Sequence, residues 1–217
     1  MSENIAQILE AKFRAAPVVP LIEADDPAIA VKTAKALQAG GLDVIEVVLR
    51  TDAALDCMAA IIAETDGVVV GAGTILTVDD AKAAADRGAQ FIVCPGLVDA
   101  VVAFCQEKGL PVFPGTMTAG EVQRAHCLGL ETVKFFPAKL AGGVPMLKAL
   151  SSVFRKMRFM PTGGVSADNL GEFLAVPSVI ACGGSWLTPK AAIEAGDFEA
   201  ITKLAREAIT LASAARP

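Results

Sequence analysis

The sequence predicts an α/β fold in which eight parallel strand–helix units close into a barrel, with one extra helix at the N-terminus. Three observations predict it. Short runs rich in Val, Ile and Phe, each ending in Gly, Pro, Ser or Thr, recur about every twenty to twenty-five residues and alternate with Ala-rich stretches of helical spacing. The runs are almost wholly apolar, which indicates burial on both faces, as in parallel strands covered by helices. The chain of 217 residues shows no linker, low-complexity tract or shift of composition, so residues 1–217 are read as one domain.

Residues 2–14 come first, with Ile5, Ile8, Leu9 and Phe13 on one side, and read as a helix capping the bottom of the barrel. The strands follow at 18–23, 44–51, 68–75, 91–96, 111–116, 132–138, 158–165 and 179–186. Helical spacing occupies 27–39, 52–64, 78–88, 98–109, 119–129, 144–154 and 167–175, and a last helix at 198–214 closes the cycle. This count matches a TIM barrel. A doubly wound open sheet would carry fewer strands and a Gly-rich turn after the first, and residues 23–27 are not Gly-rich.

The bulk composition narrows the function. Hydrophobic residues make up 53% and charged residues 20%, so a large core is available. A net charge of −5 without a basic stripe argues against nucleic acid as a partner. Apolar stretches such as residues 67–76 fall short of the roughly 18–20 residues a membrane helix needs, so no membrane partner is expected. Residues 1–10 carry acidic groups and no extended apolar run, which predicts no signal peptide. The five cysteines are scattered with no CxxC pair, which suits reduced thiols and a cytoplasmic location.

Barrel chemistry sits at the C-terminal ends of the strands, so charges within apolar runs are informative. Glu46 stands in VIEVVLR (44–50) and Lys134 in TVKFFPA (132–138). Side chains alternate along a strand, so Glu46, Val48 and Arg50 share one face, as do Thr132, Lys134 and Phe136. If both faces point inward, a carboxylate, a guanidinium and an amine converge. A buried Lys–Glu ion pair without chemistry is the alternative, but hydrophobic packing there would usually be no less stable. Burial disfavours an ammonium ion, and the neutral amine it leaves can attack a carbonyl. A neighbouring carboxylate then serves as proton shuttle.

Glycines mark a second constellation. PTGGVS (161–166) follows the seventh strand and CGGSW (182–186) the eighth, the two places where barrels recurrently bind phosphate. GAGT (71–74) ends the third strand, with the Thr74 hydroxyl able to face the same mouth; it lacks the third glycine and acidic partner of a dinucleotide fingerprint. His126 is the sole histidine and falls on a predicted helix, so no His-based metal site is expected. No Ser-His-Asp set or Walker loop is present, and no cofactor is expected.

These residues together resemble one family, the class I 2-keto-3-deoxy-6-phosphogluconate (KDPG) aldolases. The likeness runs from the first strand to the last helix. Its carriers are Ile45, Glu46 and Val47 with Arg50 and Thr51; GAGT at 71–74; VKFFPA at 133–138; PTGG at 161–164; and GGSW at 183–186. The resemblance implies a trimeric TIM barrel in which Lys134 forms a Schiff base and Glu46 shuttles protons. It implies that Arg50 and Thr74 hold the pyruvate carboxylate and that Gly163, Gly164 and Ser185 hold the phosphate. Pro95, Phe136 and Thr162 would shape the pocket. Lys139 departs from the pattern, since an acidic residue is common there. The implied reaction splits KDPG reversibly into pyruvate and glyceraldehyde 3-phosphate, with 4-hydroxy-2-oxoglutarate as a further substrate. Two alternatives stand beside it: a sister aldolase for the C4 epimer, 2-keto-3-deoxy-6-phosphogalactonate, and a non-catalytic barrel that binds an anionic metabolite. Thr162 before the glycine pair favours the gluconate form over the epimer.

Overall fold

The computed structural model describes residues 4–216. The chain alternates helices and parallel strands. Helix α1 (Ile5–Ala15) precedes β1 (Val18–Ile22), then α2 (Pro27–Ala39), β2 (Val44–Val48), α3 (Ala54–Glu64), β3 (Val69–Gly73), α4 (Val78–Asp86), β4 (Ile92–Val93) and α5 (Asp99–Lys108). Strands β5 (Val112–Phe113) and β6 (Gly115–Thr116) flank Pro114, which has no N–H to donate and divides one predicted strand into two. After α6 (Ala119–Cys127) come β7 (Thr132–Phe135), α7 (Gly143–Val153), β8 (Arg158–Pro161), α8 (Leu170–Leu174), β9 (Cys182–Gly184), α9 (Lys190–Glu194) and α10 (Phe198–Ala215).

All strand pairs are parallel. A six-stranded sheet runs β5-β4-β3-β2-β1-β9 and a three-stranded sheet runs β6-β7-β8. Pro114 links β5 to β6, and single bridges Phe159↔Val179 and Thr162↔Gly183 lie between β8 and the β9 segment. The two parallel sheets thus meet at Pro114 and at these bridges.

Burial explains the alternation. Ile45, Val47, Val70, Ala72, Ile92, Val133, Phe135 and Phe159 belong to the large core cluster beneath the helices. Their neighbours Val19, Val44, Val69, Phe91, Val93, Phe113, Met160 and Ala181 form a second, smaller cluster on the opposite face. Adjacent residues thus serve different cores, as the period of two requires. Helix α1 packs Leu9 and Phe13 into the smaller cluster. Phe13 meets Phe113 edge-on at 6.2 Å and Phe113 meets Phe91 at 5.9 Å, a favoured aromatic geometry. Asn4 caps α1 through its side-chain oxygen, which accepts from the Ala6 N–H. The predicted helix began at Ser2; residues 2 and 3 lie outside the described residues.

Two further departures are local. The eighth predicted helix, 167–175, contracts to Leu170–Leu174, because the Asn169 side chain engages the Ser166 N–H and the Gly164 carbonyl instead of continuing a helix. Helix α9, preceded by Pro189, lies in a stretch that the sequence left unassigned. Among the described residues, no helix is long and apolar enough to cross a membrane.

Candidate active site

Two charged side chains lie on the inner face of the strands. Ile45 and Val47 belong to the helix-side core, so β2 turns Glu46 the other way. Val133 and Phe135 do the same for Lys134 on β7. Glu46 is 1% exposed and Lys134 5%. Lys134 Nζ stands 3.6 Å from Glu46 Oε1, and neither Glu46 oxygen accepts a hydrogen bond from the protein. A buried acceptor without a donor costs about 1–3 kcal/mol. A lysine and a carboxylate held together at this depth, with the carboxylate lone pairs unused, mark a functional site more readily than a stabilising one.

Glycine frames the carboxylate. A Cβ on Gly73 would overlap Glu46 Oε1 and stand 2.7 Å from its Cγ and Cδ, so Glu46 occupies the room that a side chain on β3 would take. The next residue, Thr74, has φ 62° and is the one non-glycine residue with positive φ among those described. That conformation costs a β-branched residue on the order of 1–3 kcal/mol and concentrates at functional sites. It holds half-buried Thr74 at the end of β3.

Phe136 joins the amine to the glycine turn. Its ring centroid lies 5.1 Å from Lys134 Nζ, and a Cβ on Gly163 would come 3.2 Å from the same ring. Gly163 and Gly164 take φ of 95° and 79°, the left-handed backbone that glycine adopts without a steric cost. The loop after β7 is stitched to this turn: Ala138 N–H donates to the Thr162 carbonyl at 2.8 Å and Lys139 N–H to that of Gly163 at 3.0 Å. Thr162 is buried and bridges to Gly183, where an added Cβ would overlap its side chain. The two glycine pairs predicted to act together therefore end adjacent strands. Pro95 is half-buried, and its carbonyl lies against Gly115 so closely that a Cβ there would overlap it.

Arg50 and Ser185 are placed differently. Strand β2 ends at Val48, so the alternation that put Arg50 beside Glu46 stops short of it. Arg50 is exposed and pairs with Glu23 Oε2 at 3.1 Å. Ser185 is exposed as well, and both residues line a cavity of about 400 Å3 with Glu23, Thr51 and Thr188. Lys134 and Glu46 do not line it. A hollow of about 560 Å3 at the other end of the strands, beside Phe13 and Phe113, contains none of the candidate residues. Sequence reasoning missed Gly73, Glu23 and the strain at Thr74. The glycine in GAGT was the one available hint.

Cys94 follows β4, near both Lys134 and Glu46. Burial pushes its thiol up to about 12; Cys105 and Glu46 act in the same direction and Lys134 opposes them. His126 is exposed on α6. Among the described residues, no three His, Cys, Asp or Glu side chains gather as a metal site requires.

A parallel α/β sheet with a lysine and a carboxylate buried at its inner face defines a site for carbonyl chemistry. The family model described as KDPG and KHG aldolase matches residues 9–204, and the chain belongs to that family. A 2-dehydro-3-deoxy-phosphogluconate aldolase of Treponema pallidum is 45% identical over 96% of this chain and 97% of the relative. The 2-keto-3-deoxy-6-phosphogluconate aldolase of Zymomonas mobilis, solved with 3-phosphoglycerate, superposes with a TM-score of 0.87 at 40% identity over 96% of each chain. A KDPG aldolase from Legionella pneumophila, with pyruvate captured as a covalent carbinolamine, gives a TM-score of 0.87 at 38% identity, covering 91% of this chain and 96% of the other.

Proposed function

We propose that this aldolase cleaves 2-keto-3-deoxy-6-phosphogluconate reversibly to pyruvate and glyceraldehyde 3-phosphate, with Lys134 as the Schiff-base residue. The observation that carries this is the buried Lys134–Glu46 pair at 3.6 Å, with a carboxylate that accepts no hydrogen bond from the protein. The carbinolamine trapped in the Legionella relative supports an amine nucleophile.

In this reading the Lys134 amine adds to the C2 ketone, and loss of water from the carbinolamine gives an iminium. Glu46 then takes the C4 hydroxyl proton. The electron pair of the breaking C3–C4 bond flows toward the iminium nitrogen, leaving an enamine and releasing the aldehyde. Protonation at C3 and addition of water free pyruvate and regenerate the amine. Thr74 and Arg50 hold the carboxylate of the pyruvate moiety, for which Arg50 must leave Glu23 and turn inward. Gly163, Gly164 and Ser185 hold the phosphate, and Pro95, Phe136 and Thr162 shape the space between. 4-Hydroxy-2-oxoglutarate, which lacks the phosphate, serves as a second substrate.

The architecture in this reading is one (β/α)8-barrel domain spanning residues 1–217, with α1 as a plug at its base. The bridges between β8 and the β9 segment and the packing of Leu9 and Phe13 support it. A homotrimer is what the family resemblance implies, and exposed Leu76, Val98, Met117 and Leu140, in four successive loops at the site's end, are apolar surface that such an assembly would cover. Five unpaired cysteines favour a reducing, cytoplasmic setting.

Borohydride reduction with pyruvate, followed by peptide mapping, tests the nucleophile. The added mass is expected on Lys134; mass on Lys139, or none at all, overturns the assignment. Paired turnover on KDPG and its C4 epimer decides the substrate. Buried Thr162 beside the glycine pair favours KDPG, and preference for the epimer reverses that choice.

A further inference from the structure

We propose that Lys139 is a binding residue of the phosphate end, an exposed cation that raises selectivity for phosphorylated over unphosphorylated substrate. This rests on the reading of Gly163 and Gly164 as the phosphate cradle.

The placement follows from Gly164. A Cβ built there would stand 2.5 Å from Lys139 Cβ, 3.1 Å from its Cδ and 3.3 Å from its Cγ. The lysine stem therefore lies along the glycine turn, where only a residue without a side chain leaves it room. Its root is fixed by the 3.0 Å bond from Lys139 N–H to the Gly163 carbonyl. The far side of the turn is pinned too, because the Asn169 side-chain amide donates to the Gly164 carbonyl at 2.9 Å. A fixed stem on a fixed turn delivers the ammonium group to the rim of the cradle.

The charge there is uncommitted. Six other lysines pair with carboxylates within 4 Å: Lys12, Lys35, Lys82, Lys134, Lys190 and Lys203. Lys139 is exposed and, among the described residues, makes no such pair. Backbone N–H groups offer a phosphate partial charges only; an ammonium adds a full one with three donors and reaches whichever oxygen faces outward. Because the site opens to solvent, the attraction is modest and sensitive to salt. The stem also lies against the turn and not against Lys134, so its effect belongs to substrate recognition and not to bond cleavage.

The test compares wild type with Lys139→Met and Lys139→Arg, measuring KM for KDPG and for 4-hydroxy-2-oxoglutarate at low and moderate ionic strength. Lys139→Met is expected to lower the preference for KDPG, taken as the ratio of the two KM values, about three- to tenfold, and Lys139→Arg to retain it. The KM of wild type for KDPG is expected to rise with salt more steeply than that of Lys139→Met. An unchanged KM ratio in Lys139→Met, or an equal salt dependence, overturns the inference. Gly164→Val, measured alongside, judges the underlying reading separately: if it loses KDPG selectively while Lys139→Met does not, the cradle stands and the lysine is dismissed. If Gly164→Val loses both substrates equally, the cradle reading fails, and the KM ratio of Lys139→Met still decides whether the cation meets the phosphate.

Discussion

Gly73→Ala tests the acid–base role proposed for Glu46 with a single methyl. Gly73 has no positive φ, so alanine is compatible with its backbone. The cost falls on Glu46. The new Cβ would overlap Oε1 and stand 2.7 Å from Cγ and Cδ, whereas ordinary contact begins near 3.4 Å. The side chain must therefore retreat by about 0.7 Å at its carbons and further at its oxygen. It has little freedom to do so, being 1% exposed. Overpacking of this kind costs about 1–3 kcal/mol of stability. A displacement approaching 1 Å at a reacting group can cost about 100-fold in rate. The expected result is a fall of that order in kcat on KDPG, a modest loss of thermal midpoint, and continued trapping of pyruvate on Lys134. Turnover within a few-fold of wild type at an unchanged midpoint would refute the argument, since Glu46 would then not need the position that Gly73 leaves for it.

Glu46→Gln keeps the volume and removes the proton acceptor; kcat is expected to fall about 10²–10⁴-fold with pyruvate trapping partly retained, and near-normal turnover would exclude Glu46 from proton transfer. Gly164→Val forces a φ of 79° on a β-branched residue and crowds Lys139, so cleavage of KDPG should suffer far more than cleavage of 4-hydroxy-2-oxoglutarate. The last prediction concerns alkaline pH. Burial raises the Cys94 thiol from 9.0 to about 12, so its contribution to stability is complete below pH 9 and is lost as pH rises toward about 12. Between those limits its share falls by about 1.4 kcal/mol per pH unit. Urea unfolding at pH 9, 10 and 11 should show a shallower decline for Cys94→Ala than for wild type, and identical slopes would dismiss the thiol as the cause.

Much of this was legible because period and burial are local. Val44, Glu46, Ile45 and Val47 announce a strand with two faces, and the only question left open was which face is inward. The structure answers it through Leu9, Phe13 and Phe113, whose cluster occupies the face that Glu46 shares. Arg50 lies beyond the reach of that alternation. Alternation holds only while the strand does, and nothing in residues 44–51 reveals that pairing ends at Val48 or that Glu23, 27 positions earlier, waits across the loop. Pro114 was visible in the sequence, yet its division of a strand was not read, since edge and interior prolines look alike in one dimension. In the sequence Gly73 and Thr74 read as a strand end. Their real content, the room for a carboxylate and a left-handed threonine, depends on the adjacent strand β2 and on Glu46, many residues earlier.

The pairing of the first strand with the last has a consequence for synthesis. Val18 and Val19 find their partners only in Cys182 and Gly183, and the Leu21 carbonyl waits for the Thr188 hydroxyl, 167 residues later. The Ala36 carbonyl likewise waits for Thr202. A chain leaving the ribosome therefore holds β1 as an open edge until nearly all of its length has emerged, and open edges invite pairing between molecules. Contacts of such long range also slow the final closure. Glu46 and the second glycine pair lie far apart in the sequence, so a nascent chain acquires the proposed site only at that closing step. Fragments ending before residue 182 are expected to aggregate, whereas joining the two termini and cutting elsewhere shortens the wait.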